Sequence, residues 1–335
     1  MTNKNTSWTN QPFLLQPVGK DYLWGGNRLN EYFSKHIDMT PLAETWECST
    51  HPDGLSLISG GKFHGRTLKS VLAEHPEYAG DVLLPNGELP VLIKLIDAKE
   101  NLSVQVHPDD EYARYNENGS LGKYEMWYVL DADTDSYLVY GFNRDIDAAT
   151  LKKSLLEGTI EKYLQYVPIR KDDVFFVEPG RVHAIGAGAL IAEIQENSNL
   201  TYRLYDYGRL DKNGEPRALH IEKAFDVINF KNNTAPRQPL RVLRYQKGCA
   251  SELLCRCKYF QVERLLIHTE NDCSIIACRT SEHSFQVLLC VDGFGTLFSE
   301  DGETLPINKG NCVFVPAGCG ELKAEGTLQI LKIGC

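Results

Sequence analysis

Lys171-Asp-Asp-Val-Phe-Phe-Val-Glu-Pro-Gly180 continues through Arg181 and Val182 to His183. Val174 to Val177 is a short run of β-branched and aromatic residues, the composition of a strand. Pro179 and Gly180 end it in a turn, and the chain returns with a histidine three residues later. Upstream, Gln105-Val-His107 has a matching character. Alternate residues of a strand face one side, so Gln105 and His107 can reach one ion while Val106 points into the opposite layer. Glu125 and His183 complete a set of two nitrogens and two oxygens. That set suits Zn²⁺, one per chain, with Fe²⁺, Mn²⁺ or Co²⁺ chemically possible. It has too few oxygens for Ca²⁺ and no thiolate for a structural cysteine site. Any one of these residues alone is more often a satisfied core or surface polar group, but four in one pattern point to a site.

The strand, glycine turn and returning histidine resemble the second motif of the cupins, and Gln-x-His resembles a variant of the first. Strand signals recur along the chain: Pro90 to Asp97, Met126 to Leu130, Ser136 to Tyr140, Asp173 to Val177 and Leu190 to Ile194 are short apolar runs bounded by turn residues. A weak internal repeat aligns Lys171–Gly180 with Lys309-Gly-Asn-Cys-Val-Phe-Val-Pro-Ala-Gly318. In that register His183 falls opposite Glu321, and no Gln-x-His partner lies near Phe285 to Val291. The expected fold is therefore mainly β with helical insertions: two cupin-like β-barrels (jelly rolls), the N-terminal one carrying the metal and the C-terminal one metal-free.

The clearest helical pattern is Asp147 to Tyr163, with an acidic start and apolar Leu151, Leu155, Leu156 and Ile160 at helical spacing; Thr67 to Ala73 and Glu222 to Ile228 are shorter candidates. Asn232 to Pro239 has two prolines and no periodicity and reads as a linker, dividing a catalytic domain, 1–236, from a C-terminal domain, 237–335.

At 335 residues the chain is long enough for two lobes. A net charge of -10 without a long Lys/Arg run argues against nucleic acid and anionic membrane as partners, so an anionic substrate must be met by a local cluster of cations or metal. The N-terminal ten residues are polar and no apolar stretch is long enough to span a bilayer, which predicts a cytosolic protein; the sequence leaves monomer and small homo-oligomer both open. Ten cysteines, nine of them between Cys249 and Cys335, lack paired C-x-x-C spacing and are expected to be reduced and mostly buried.

Taken together, Trp24-Gly-Gly26, Ala43-Glu-Thr-Trp-Glu47, Leu102-Ser-Val-Gln-Val-His-Pro108, Gly122-Lys-Tyr-Glu-Met-Trp-Tyr128, Gly180-Arg-Val-His-Ala-Ile-Gly186 and Glu193 to Arg203 closely resemble the type I mannose-6-phosphate isomerases in their short bacterial form. The resemblance runs from about Trp24 to Phe230 and continues loosely beyond. It implies that Gln105, His107, Glu125 and His183 hold zinc, that Arg203 is the active-site arginine, and that Lys94, Ser103, Lys123 and Glu193 line the pocket. Four residues before the arginine, where better-known members carry an aspartate, this chain has Asn199, an amide that cannot take a proton at neutral pH.

The implied reaction interconverts mannose 6-phosphate and fructose 6-phosphate through an enediol(ate), whose charge a metal and Arg203 can stabilise. Lys94 and Lys123, with pKa values lowered by burial and metal, are candidate proton carriers, and Trp24, Tyr202 and Tyr205 are candidate pocket walls. Two other classes stay open: a sugar-phosphate-binding relative with little turnover, suggested by Asn199, and an iron-dependent cupin oxygenase, disfavoured by the scarcity of histidines.

Overall fold

The computed structural model describes residues 10–232, 241–269 and 274–335, organised as three antiparallel sheets. Strands between Val18 and Tyr205 build two of them. One has six strands in the order Val174–Val177, Glu125–Ala132, Ala189–Glu196, Val91–Asp97, Glu44–Cys48 and Val18–Lys20. The other has five: Tyr202–Tyr205, Val104–Val106, His183–Ile185, Tyr137–Phe142 and Leu164–Pro168. They pack face to face through Trp127, Val129, Phe175 and Ile191 on one side and Leu138, Tyr140 and Ile185 on the other, all in one buried cluster.

Burial on both faces explains why Val91–Asp97 is a continuous apolar run rather than an alternating one. Val91, Ile93 and Leu95 join the core shared with the helices Arg28–Phe33 and Leu68–Glu74 and with the C-terminal strands. Lys94 and Ile96 face the five-stranded sheet, so period two places a lysine among the residues between the sheets. On the outer face of the five-stranded sheet, Val104, Val106, Tyr202 and Leu204 pack under Leu151 and Ala224 of the helices Ala148–Leu156 and Ile221–Val227. Val106 thus points away from Gln105, as the alternation requires.

The third sheet has ten strands. It holds the C-terminal strands from Arg244–Gln246 to Gly320–Gly334, and it also recruits Phe13–Gln16, which pairs with Cys312–Val315, and Leu57–Ser59, which pairs with Phe13–Gln16. The internal repeat is structural: Val174–Val177 and Cys312–Val315 are both strands, and Gly180 (φ 82) and Gly318 (φ 69) both turn through left-handed backbone. Of the interlobe segment, Asn232 alone lies within the described residues.

The long helix expected over Asp147 to Tyr163 is interrupted. Asp147 caps it by accepting a hydrogen bond from the Thr150 amide at 2.7 Å, but the helix ends at Leu156; Gly158 adopts φ 65, and a short 3₁₀ turn, Ile160–Lys162, leads into the strand at Leu164. Leu156 fitted the apolar stripe and is 82% exposed, because the helix has stopped before its face can be covered.

Candidate metal centre and catalytic cavity

The site forms where the two smaller sheets face each other. In the five-stranded sheet Arg203, Gln105 and His183 lie in register on three adjacent strands, Arg203 opposite Gln105 and Gln105 opposite His183. His107 follows directly on the strand Val104–Val106, and its carbonyl accepts a 2.9 Å hydrogen bond from the Gly180 amide, tying the two ligand-bearing segments together. Glu125 opens a strand of the opposite sheet, where Glu125, Trp127 and Val129 point inward and Met126 and Tyr128 point to the other core.

Ligand atoms of His107, Glu125 and His183 all lie within 4.8 Å of one another, and the three residues are at most 1% exposed. The two Nε2 atoms are 3.1 Å apart, and Glu125 oxygens lie 3.3 Å from His107 Nε2 and 3.6 Å from His183 Nε2. Gln105 comes within 3.3 Å of His183 Nε2 through its amide nitrogen. The donor set fits a cation. His183 donates its Nδ1 proton to the Arg181 carbonyl at 2.8 Å, which leaves Nε2 as the unprotonated nitrogen facing the cluster. Both Glu125 oxygens are buried without a well-formed hydrogen bond, although Lys123 Nζ lies 2.6 Å from one of them.

Electrostatics hold the cluster in ligand form. Burial, reinforced by Lys123, pushes the pKa of His107 down to about 3, and burial likewise lowers that of His183, so both imidazoles are neutral. Burial alone would push the Glu125 carboxyl up; Lys123 and the two histidines outweigh it and hold the carboxyl well below the ordinary range.

Against this cluster lies a cavity of about 300 Å³, whose walls include Lys94, Ser103, Gln105, Lys123, Glu193, Asn199 and Arg203. The structure therefore brings all ten sequence-selected residues to one place: three in the buried cluster and seven in the cavity wall. Of the aromatic candidates, Trp24 lines the cavity. Tyr202 and Tyr205 do not: Tyr202 is packed on the outer face of the sheet, with its hydroxyl donating to Glu117, and the Tyr205 hydroxyl donates to Glu161. Their neighbour Arg203 points inward, so alternation sends Tyr202 outward; Tyr205 shares the parity of Arg203 and is turned outward by the register shift between Arg203 and Tyr205. The fold also supplies wall residues that the sequence reading passed over, among them Tyr22, Glu44, Trp127, Thr201 and Arg217. Glu44 and Trp127 sat inside quoted motifs and were recoverable from strand alternation; Arg217 arrives from an irregular loop with no signal of its own.

The cations of the wall differ in how they are held. Lys94 Nζ lies 3.0 Å from Glu193, which also accepts from Trp127 Nε1 at 2.9 Å, and 3.9 Å from Glu44. Burial favours losing its proton, but Glu193 and Glu44 prevail and its pKa is raised, the opposite of the expected direction. Arg217 is paired with Asp206. Arg203 donates to the Ala218 carbonyl at 2.7 Å, has a buried Nε without a partner, and makes no ion pair among the described residues. It is the wall cation left free for an incoming anion.

Comparison with known proteins agrees with this geometry. Residues 13–137 match the family model for the type I phosphomannose isomerase catalytic domain, and residues 251–334 match that for the mannose-6-phosphate isomerase cupin domain. The chain is 40% identical over 321 residues to a mannose-6-phosphate isomerase of Streptococcus mutans, covering 96% of this chain and 97% of that one. It is 36% identical over 331 residues to mannose-6-phosphate isomerase ManA of Bacillus subtilis, covering 96% and 98%. The crystal structure of a Bacillus subtilis mannose 6-phosphate isomerase superposes with a TM-score of 0.86 at 33% identity, over 97% of this chain and 99% of the other. A site of two histidines and a glutamate beside a cation-lined cavity, on a fold shared over nearly its whole length, leads to one conclusion: the chain belongs to the type I mannose-6-phosphate isomerases.

Proposed function

We propose that the protein interconverts D-mannose 6-phosphate and D-fructose 6-phosphate through an enediol(ate), using one Zn²⁺ held by Gln105, His107, Glu125 and His183. The observation that carries this reading is the convergence of neutral imidazoles and an ionised carboxylate, all buried, beside a cavity lined by Gln105 and Lys123, in whose wall Arg203 is the cation without an ion pair among the described residues. Among the described residues no other histidine, cysteine and carboxylate group is placed to hold a metal, consistent with a single ion. A bound divalent ion supplies positive charge that polarises the substrate oxygens at which charge develops. Gln105, with its amide turned over from the orientation in which Nε2 faces His183, would contribute a neutral oxygen, which would leave that charge less quenched than a second carboxylate would.

The protein's own groups do the rest. Arg203, level with Gln105 across one inter-strand spacing, offers its guanidinium to the oxygen that becomes negative in the enediol(ate). Lys94 is kept charged by Glu193 and Glu44 and acts as a hydrogen-bond donor to the sugar. Lys123, in the cavity wall and against Glu125, is placed to pass a proton between the two carbons. Ser103, Glu193 and Asn199 fix the hydroxyls. The free thiols among the described residues suit a reducing compartment such as the cytosol.

A coupled assay of mannose 6-phosphate turnover tests this. Activity should disappear on chelation and return with added Zn²⁺. Turnover indifferent to chelation, or none in metal-loaded protein, would refute the reading.

A further inference from the structure

Asn199 stands at the boundary of two cavities, lining both the catalytic one and an outer one of about 560 Å³. Its Nδ2 donates to Asp53 Oδ2 at 2.8 Å. A carboxylate at neutral pH only accepts, so this contact settles which way the amide is turned: the nitrogen faces Asp53 and the carbonyl oxygen faces away from it.

Asp53 is itself held. Its amide donates to His51 Nδ1 at 3.1 Å and its carbonyl accepts from Lys20 Nζ. His51 stands edge-on to Trp46, ring centres 5.8 Å apart, and Trp46 Nε1 donates at 2.8 Å to Glu44 of the catalytic wall. Gly54 packs so closely that a Cβ there would meet the Trp46 ring at 2.8 Å. The loop His51 to Gly54 is therefore braced against the strand that carries Glu44, while Asn199 belongs to the segment that leads into Arg203.

We propose that Asp53 is a positioning residue for the isomerisation: it locks the Asn199 amide so that a carbonyl oxygen, and never a carboxylate, meets a sugar hydroxyl at the cavity rim. The Asp53 carboxylate stays in the wall of the outer cavity, one hydrogen bond away from the catalytic one. This rests on the isomerase reading above.

An exchange of the pair tests it, using Asp53→Asn, Asn199→Asp and the double variant, each compared with wild type from pH 5.5 to 8.5. Asn199→Asp brings two carboxylates into hydrogen-bond distance, with Lys20, His51, Tyr22 and Arg203 as the neighbouring titratable groups. At pH 8 its KM should rise about tenfold with a smaller change in kcat, and the deficit should shrink as pH falls and the two carboxyls share a proton. Asp53→Asn should raise KM by about threefold to tenfold because the amide loses its fixed orientation. The double variant restores one carboxylate and one amide and should return KM to within about threefold of wild type. A double variant no better than Asn199→Asp, or single variants indistinguishable from wild type, would overturn the proposal. Carboxyl titration by NMR gives a readout independent of turnover. Asn199→Asp should show a carboxyl titrating well above the ordinary range, absent from the double variant; two ordinary carboxyls would overturn the pairing even in a protein without isomerase activity.

Discussion

Arg203 and His183 sit two strands apart at the same level of one sheet, and they separate two roles that can be measured independently. Arg203→Lys keeps the charge and loses the planar fork. It should lower kcat by about a hundredfold, the scale for losing one oriented donor at a developing oxyanion, with metal content unchanged by elemental analysis. Unchanged kcat would remove the arginine from the chemistry. His183→Ala removes a ligand whose tautomer is already fixed by the Arg181 carbonyl, so the variant should be isolated with little or no metal; full retention would contradict the ligand set. His183 was legible in the sequence as part of a metal-competent set with Gln105 and His107, which alternate around Val106, and with Glu125; Arg203 was legible only through the family resemblance. What escaped was set by the third dimension. Asp53 is 146 residues from Asn199, and nothing in either local sequence announces their contact. Lys94 stood out as a lone cation in an apolar strand, yet the direction of its pKa depends on Glu193 and Glu44, one on each neighbouring strand.

Among the elements, the turn at Gly180 does most to assemble the site. It has φ 82, its amide bonds the His107 carbonyl, its own carbonyl accepts from the Asn229 amide at 2.8 Å, and a Cβ would meet the Val227 carbonyl at 2.7 Å. Gly180→Ala should therefore cost more than about 1 kcal/mol in denaturant unfolding and reduce metal occupancy, since it displaces the segment that delivers His183. A variant with normal stability and full metal would show that the turn tolerates a side chain. The helix Ala148–Leu156 is remote from the site and behaves simply: loss of its cap in Asp147→Ala should lower the denaturation midpoint and leave kinetic constants alone. Strands were read well from sequence because most of the apolar runs ended at or within a residue or two of a glycine, proline or aspartate. The helix was read too long because Leu155, Leu156 and Ile160 continue the apolar spacing, while Gly158, which stops it, counts as only one weak breaker in a periodicity argument.

At the scale of the whole molecule, one buried carboxyl couples stability to pH where the first part of the chain meets the last. Burial pushes the pKa of Glu196 up to about 8, and neighbouring Asp110 adds to the shift. Its Oε2 accepts from the Tyr124 amide at 2.9 Å, and Asp110 is gripped by the Tyr259 hydroxyl at 2.6 Å from the C-terminal sheet's side. Between the ordinary glutamate range and pH about 8 the native chain binds a proton that the unfolded chain has released. Stability from this group is full below that window and declines as pH rises through it. The melting temperature should fall between pH 6 and 9, and Glu196→Gln, which mimics the protonated acid, should flatten that slope; an unaltered slope would assign it to other groups. The nine described cysteines are all unpaired, burial raising the thiol pKa at Cys48, Cys255, Cys278, Cys290 and Cys312, so thiol titration of denatured, unreduced protein should approach ten. Finally, Leu14 is bonded in register with Val313, so the strand Phe13–Gln16 finds one of its two partners only once the chain has been made as far as Cys312–Val315. Until then its edge is open to other chains. A message cut short before the codon for Cys312 would yield a polypeptide that contains every residue of the candidate site and still leaves one edge of the strand Phe13–Gln16 unpaired.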